Sequence, residues 1–309
     1  MKKCILLLCT CLLFACSSKQ EEKKEFTYIL FATPLKEHTI WLEAKEGFDQ
    51  ACDENDIKCD WLGPSVIDTQ EMEDVIETGI LKKADAIITQ GVIETDLIDM
   101  AYENNIPIFL VDSDIPDSKR FAYMGKDFNQ QAQLLLKDIE EKYGTKKHLK
   151  IAIQVAEESF SIAKDQIEEV QNVFKQHEGG FDIVSISESK SDQIRAKKEW
   201  EQVLRDNDDI DVAINFAAES AEECATLAEG LGRKSRMLIY GVDDMDTTLQ
   251  MVKDGKIDGT VVTSFYDYGY KGVSMLLDYI KNKSEPTQKI FSPNLMIVNK
   301  ENVKNYEEQ

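Results

Sequence analysis

From Phe26 to near the C-terminus, short β-rich apolar runs alternate with amphipathic stretches of helical length, and this alternation limits the possible folds most. The strand-like runs are Tyr28–Phe31, Ala86–Ile88, Ile108–Val111, Leu149–Ile153, Ile183–Ile186, Val212–Ile214 and Met237–Tyr240. Helical patterning covers roughly 39–55, 68–83, 94–104, 127–143, 160–176, 192–206, 218–231, 244–254 and 265–282. In one of these, Ala132, Leu135, Leu136 and Ile139 share a face while Lys137, Asp138, Glu140 and Glu141 lie off it. Near-continuous apolar strands separated by helices predict βαβ units and parallel sheets buried on both faces, an α/β chain. At 309 residues, the length suits two such units.

Open parallel sheets bind ligands beyond the carboxyl ends of their strands. The strand-end segments here are 32–34, 89–91, 112–114, 156–158, 216–218 and 241–243, and none forms a dinucleotide, P-loop or nucleophile-elbow motif. The three histidines, His38, His148 and His177, lie far apart in sequence and no Cys-x-x-Cys occurs, so no metal and no cofactor is expected. The balance of 36 Lys+Arg against 58 Asp+Glu, a net charge of −22, opposes nucleic-acid binding, which needs a basic face.

The N-terminus reads as an address. Met1-Lys2-Lys3 precedes an apolar run, Ile5 to Ala15, that is too short to span a membrane. Leu13-Phe14-Ala15-Cys16 resembles the bacterial lipoprotein lipobox, which implies a signal peptide over 1–15, lipidation of Cys16 and a polar tether over 16–25. Cleavage removes two lysines and no acid, leaving a net charge of −24. Apart from Cys16, it leaves Cys52, Cys59 and Cys224, an odd set that is no disulfide framework. Cys52 and Cys59 pair only if a helix end and the next strand bring them together.

Six segments in order give the chain a closer resemblance. They are His38-Thr39-Ile40-Trp41 after the first strand, the helix at 43–48, and Ile106 to Asp114. Ala122 to Asp127, Tyr240-Gly241-Val242-Asp243 and Val252 to Thr260 follow. Together they resemble the sugar-type periplasmic binding proteins, the ribose- and galactose-binding receptors of ABC importers, over residues 26–303. The resemblance implies two doubly wound parallel-sheet lobes joined by a three-strand hinge. The N-terminal lobe comprises 26–126 plus 264–291, and the C-terminal lobe 127–263 plus 292–303. Repressors of the LacI type share the fold, but they carry a basic DNA-binding segment where this chain has a secretion signal.

The same resemblance implies ligand-binding roles for Trp41, Asp112, Asp243, His38, Ser113, Gln166 and Thr263. A sugar needs a flat apolar surface and in-plane polar groups, which an aromatic ring and carboxylates supply. Trp41 either meets the ligand or packs its helix. Asp112 and Asp243 either accept ligand hydroxyls or cap the following helices. His38 either donates to the ligand or caps its turn. The chain departs from the family pattern at His38, Ser113, Gln166 and Ala217, where the family has forked Asn or Arg groups, so ribose, glucose and galactose specificity does not carry over. Ser191 falls at an aromatic-like position of the family, and Ser264 is the alternative to Thr263. Trp61 and Trp200 are expected to pack, Tyr266, Asp267, Tyr268 and Tyr270 to fill an interdomain surface, and Glu219 to Glu223 to be solvated.

The expected protein is a monomeric, non-catalytic, lipid-anchored extracytoplasmic receptor on a cell surface or in a periplasm. It passes a sugar-like ligand to an ABC permease. The alternatives are a receptor of the same fold that signals to a histidine kinase or chemoreceptor, and a surface-anchored enzyme.

Overall fold

The computed structural model describes residues 26–306, so the expected signal peptide and tether, and Cys16 with its expected lipidation, lie outside the described residues. The first lobe runs β1 (Tyr28–Ala32), α1 (Thr39–Glu54), β2 (Lys58–Leu62), α2 (Thr69–Leu81), β3 (Ala86–Gln90), α3 (Thr95–Glu103), β4 (Ile108–Val111) and β5 (Ala122–Met124). The second runs α4 (Phe128–Tyr143), β6 (Leu149–Val155), α5 (Ser161–Phe174), β7 (Phe181–Glu188), α6 (Gln193–Asp206), β8 (Val212–Asn215), α7 (Ser220–Gly230), β9 (Leu238–Val242), α8 (Asp246–Asp254) and β10 (Gly259–Val262). The chain then returns with α9 (Phe265–Asn282) and β11 (Ile290–Phe291) to the first sheet, and ends with β12 (Met296–Asn299) in the second.

The two sheets share one topology. Their orders are β2-β1-β3-β4-β5-β11 and β7-β6-β8-β9-β10-β12, so β1 to β5 correspond to β6 to β10. All pairings are parallel except β10 with β12, which is antiparallel. The sheets are thus the expected parallel, doubly wound ones with one antiparallel edge: β12 arrives from the other lobe rather than through a βαβ crossover, so no handedness rule fixes its direction.

Burial follows the sequence pattern. β1, β3, β4, β8 and β9 are buried throughout, whereas the edge strand β2 is half exposed. Each sheet carries one apolar cluster per face. Ile29, Phe31 and Phe109 lie opposite Leu30, Ile87 and Leu110 in the first, and Ile151, Ile153 and Tyr240 opposite Ala152, Ala213 and Ile239 in the second. Trp200 is fully buried with its Nε1 donating to Asn215 Oδ1 at 2.9 Å, and Trp61 packs 4.4 Å from Phe31, as expected of both.

Two expectations, for the tyrosine run of α9 and for Glu219, are corrected, and the open question of the Cys52–Cys59 pair is answered. Tyr268 is buried within the first lobe, and Tyr266 and Tyr270 donate to Gln50 and Glu54 of α1, so this run packs α9 on α1 rather than one lobe on the other. The helices meet at backbone distance because Gly47 and Gly269 stand at the crossing: a Cβ on Gly269 would lie 2.0 Å from the Ala44 carbonyl oxygen. Cys52, in the last turn of α1, is disulfide-bonded to Cys59 on β2, because the turn at 55–57 folds the strand back along the helix. Glu219 is only 7% exposed, since α7 starts against the other lobe.

Candidate functional site

The carboxyl ends of both sheets face one cleft with about 830 Å³ of space, shared with its open mouth. Trp41, Phe160, Phe216 and Phe265 supply aromatic surface, and His38, Gln90, Asp112, Gln166, Ser191, Glu219 and Asp243 supply polar groups.

Helix starts shape the walls. Asp68, Asp127, Asp192 and Ser264 cap α2, α4, α6 and α9 through their side chains. By contrast, the N-cap residues of α1, α5 and α7 are His38, Phe160 and Glu219, and none of them caps its helix. All three line the cleft. His38 Nε2 lies 3.8 Å from a Glu219 carboxylate oxygen across the two lobes. The cap role considered for His38 is therefore excluded.

At the floor, Asp112 and Asp243 follow β4 and β9 in left-handed backbone, each with φ of 63°. Aspartate tolerates this conformation better than most residues. Neither caps a helix, so the capping alternative falls for both. Their shared partner is Lys126, from the crossover between β5 and α4. Its Nζ donates to Asp243 Oδ1 at 2.9 Å, lies 3.7 Å from Asp112 Oδ1, and sits 4.9 Å from the centre of the Phe265 ring. Gln90 Nε2 donates to Asp112 Oδ2 at 2.7 Å. Burial opposes the charge on Lys126, but Asp243 and Asp112 together hold its ammonium above the ordinary lysine range. Burial also pushes the Asp243 carboxyl up, Lys126 offsetting only part of that, because two carboxylates share one cation.

Five of the seven residues named from sequence line the cleft: His38, Trp41, Asp112, Gln166 and Asp243. Trp41 does so while packing edge-on against Phe31 and Phe265, so the pocket and packing roles coexist. Gln166 is buried with its amide 3.5 Å from Gln131 Oε1. Ser113 and Thr263 do not line it. Ser113 Oγ donates to the Gly91 carbonyl and lies 3.1 Å from Ser161 Oγ of the second lobe, while Thr263 is buried behind the wall.

Sequence reasoning missed Lys126, Gln90 and Glu219. For Glu219 the signal was its place beyond a strand end; for Lys126 it was its place inside a segment already matched to the family. Glu157 also lines the cleft. Burial raises its pKa, but hydrogen bonds from Lys190 and Ser159 outweigh this and hold the carboxyl below the ordinary range. Among the described residues, no group of three or more His, Cys, Asp or Glu is placed to hold a metal ion, and no helix is long and apolar enough to cross a membrane.

Two α/β lobes of like topology with a polar and aromatic cleft at their strand ends define a two-lobed ligand-binding receptor. The periplasmic binding protein domain matches residues 29–284, and the chain belongs to that family. Its fold is also that of several solved structures. GanP, a glucose-galactose binding protein from Geobacillus stearothermophilus, superposes with a TM-score of 0.83 at 24% identity, over 90% of this chain and 99% of that one. XylFII gives 0.81 at 25% identity over 89% and 99%, and a XylFII–LytSN complex has also been solved. A solute-binding protein from Burkholderia graminis, in complex with D-arabinose, gives 0.83 at 19% over 92% and 99%.

Proposed function

We propose that this protein is a non-catalytic, extracytoplasmic solute-binding receptor, anchored by lipid at Cys16, that captures a small carbohydrate-like ligand for an ABC transporter. The observation that carries this reading is the single cleft into which both lobes send aromatic rings and buried polar groups. Trp41 and Phe216 come from opposite lobes and offer apolar faces to a sugar ring. His38, Asp112 and Gln166 offer hydrogen bonds to its hydroxyls. The lobes divide at 126/127, 263/264 and 291/292, and closure about those three crossovers gives the bound form its distinct shape. A permease reads that shape, and a monomer suffices for it. The relatives named for glucose-galactose binding and for bound D-arabinose support a monosaccharide-sized ligand.

A sensing role is the second reading, with a histidine kinase or chemoreceptor in place of the permease. The XylFII–LytSN complex favours keeping it, since a relative of the same fold forms a defined complex with another protein.

Thermal-shift measurements against monosaccharides, modified sugars, nucleosides and polyols test the binding reading. A ligand at a hundredfold its Kd adds about 2.7 kcal/mol of stability. Binding by one sugar class that is lost in Gln166→Ala supports the reading and places the ligand in the cleft. If no small solute shifts the melting temperature, the reading falls.

A further inference from the structure

We infer that the ligand carries an ammonium group as well as hydroxyls, as an amino sugar does, and that Glu219 is the residue that selects it. This rests on the solute-binding reading of the cleft. Five carboxylates line the cleft, Asp68, Asp112, Glu157, Glu219 and Asp243, against one lining ammonium, Lys126. Most of these acids are already engaged. Asp243 holds Lys126, Glu157 holds Lys190, and Asp68 caps α2.

Glu219 is different. It is 7% exposed, and neither carboxylate oxygen accepts a hydrogen bond from the protein. The nearest basic side chain is the His38 ring, whose Nε2 lies 3.8 Å away, beyond hydrogen-bond distance, and His38 Nδ1 is likewise buried without a partner. Asp112 adds a second observation: it is 5% exposed, and its Oδ1 accepts no hydrogen bond. Buried carboxylate oxygens require donors, and an unpaired buried charge requires a countercharge. Lys126 is held by Asp243, and no arginine is among the residues lining the cleft.

An incoming ammonium group meets both needs. It donates to Glu219, and the aromatic rings of the cleft, Trp41 and Phe216 among them, stabilise a cation further through their faces. The hydroxyls of the same ligand serve Asp112 and Gln166. A neutral sugar leaves the charge of Glu219 uncompensated.

Isothermal titration tests this with D-glucosamine, D-galactosamine and D-mannosamine, each beside its N-acetyl derivative and its unaminated parent sugar. The expected result is that one amine binds at least about tenfold more tightly than both neutral counterparts. That preference should disappear in Glu219→Gln and fade in the wild type as pH rises through the pKa of the amine. The pH arm keeps the test decisive if the variant folds poorly. Equal or tighter binding of a parent sugar overturns the inference while leaving the solute-binding reading intact. A preference that survives Glu219→Gln overturns the role of Glu219. If neither amines nor neutral sugars bind, the inference falls, and the wider thermal-shift panel alone decides the solute-binding reading.

Discussion

Asp112 and Asp243 occupy equivalent positions after β4 and β9, with the same left-handed φ of 63°, and both lie against the single ammonium of Lys126. The internal likeness of the lobes thus brings two aspartates together at the floor of the cleft, and the crossover between the lobes places the cation between them. On the proposed binding reading, Asp243, which holds the lysine by a hydrogen bond, is a weaker acceptor for ligand hydroxyls than Asp112, whose Oδ1 accepts no hydrogen bond.

The first prediction concerns this charge set. Lys126→Met leaves two buried carboxylates without their cation and should cost about 3–5 kcal/mol in urea unfolding. Asp243→Asn keeps one carboxylate for the lysine and should cost less, about 1–2 kcal/mol. The reverse ranking would show that Lys126 does not hold both acids.

The pH dependence has a defined sign. Lys126 titrates higher when folded than its ordinary value of 10.5, because Asp243 and Asp112 outweigh the burial that opposes its charge. Its contribution is therefore complete below 10.5 and is lost as pH rises through the higher, folded value. The stability gap between wild type and Lys126→Met should hold steady from neutral pH to the ordinary lysine value and close above it. Urea titrations across alkaline pH measure that gap directly.

Gly269→Ala should destabilise the first lobe by about 3 kcal/mol or more. The added Cβ would lie 2.0 Å from the Ala44 carbonyl oxygen and 2.4 Å from the Phe48 amide nitrogen, both backbone atoms. Gly230→Ala, with nothing within 4 Å of the added carbon, serves as the control and should change the melting temperature little.

Cys52→Ser with Cys59→Ser removes a crosslink that closes a short loop between α1 and β2. Chain-entropy arguments put the loss at about 2–3 kcal/mol. Cys224 is buried, and burial raises its thiol pKa far above the ordinary value, so it should stay unreactive to alkylation in the native protein. Mass spectrometry after native alkylation and a denaturant titration of the double variant check the two parts.

Legibility varied with burial. β1, β3, β4, β6, β8 and β9 were readable because a central parallel strand is apolar on both faces. The eight-residue edge strand β7 was also readable, through Ile183–Ile186, whereas β2, β5, β10, β11 and β12 were not; β5 and β11 have only three and two residues, too few to show a period. The wall residues His38, Trp41, Asp112, Gln166 and Asp243 were found through a family pattern in sequence order. Ser113 and Thr263 belonged to the same pattern, yet their side chains lie outside the cleft lining.

The alternating apolar periods of this chain determined an α/β architecture by themselves, because burying both faces of a parallel sheet leaves a signature in every central strand. They also pointed to the strand ends, where the cleft between the sheets lies. Only the tertiary structure decided how the charges in that region are shared. Lys126 is separated from Asp243 by more than a hundred residues and Glu219 from His38 by more still, so no local pattern records that they meet. A lysine or glutamate reads as a solvated residue until the fold removes the water around it. Its cost and its function both follow from the partner it then finds.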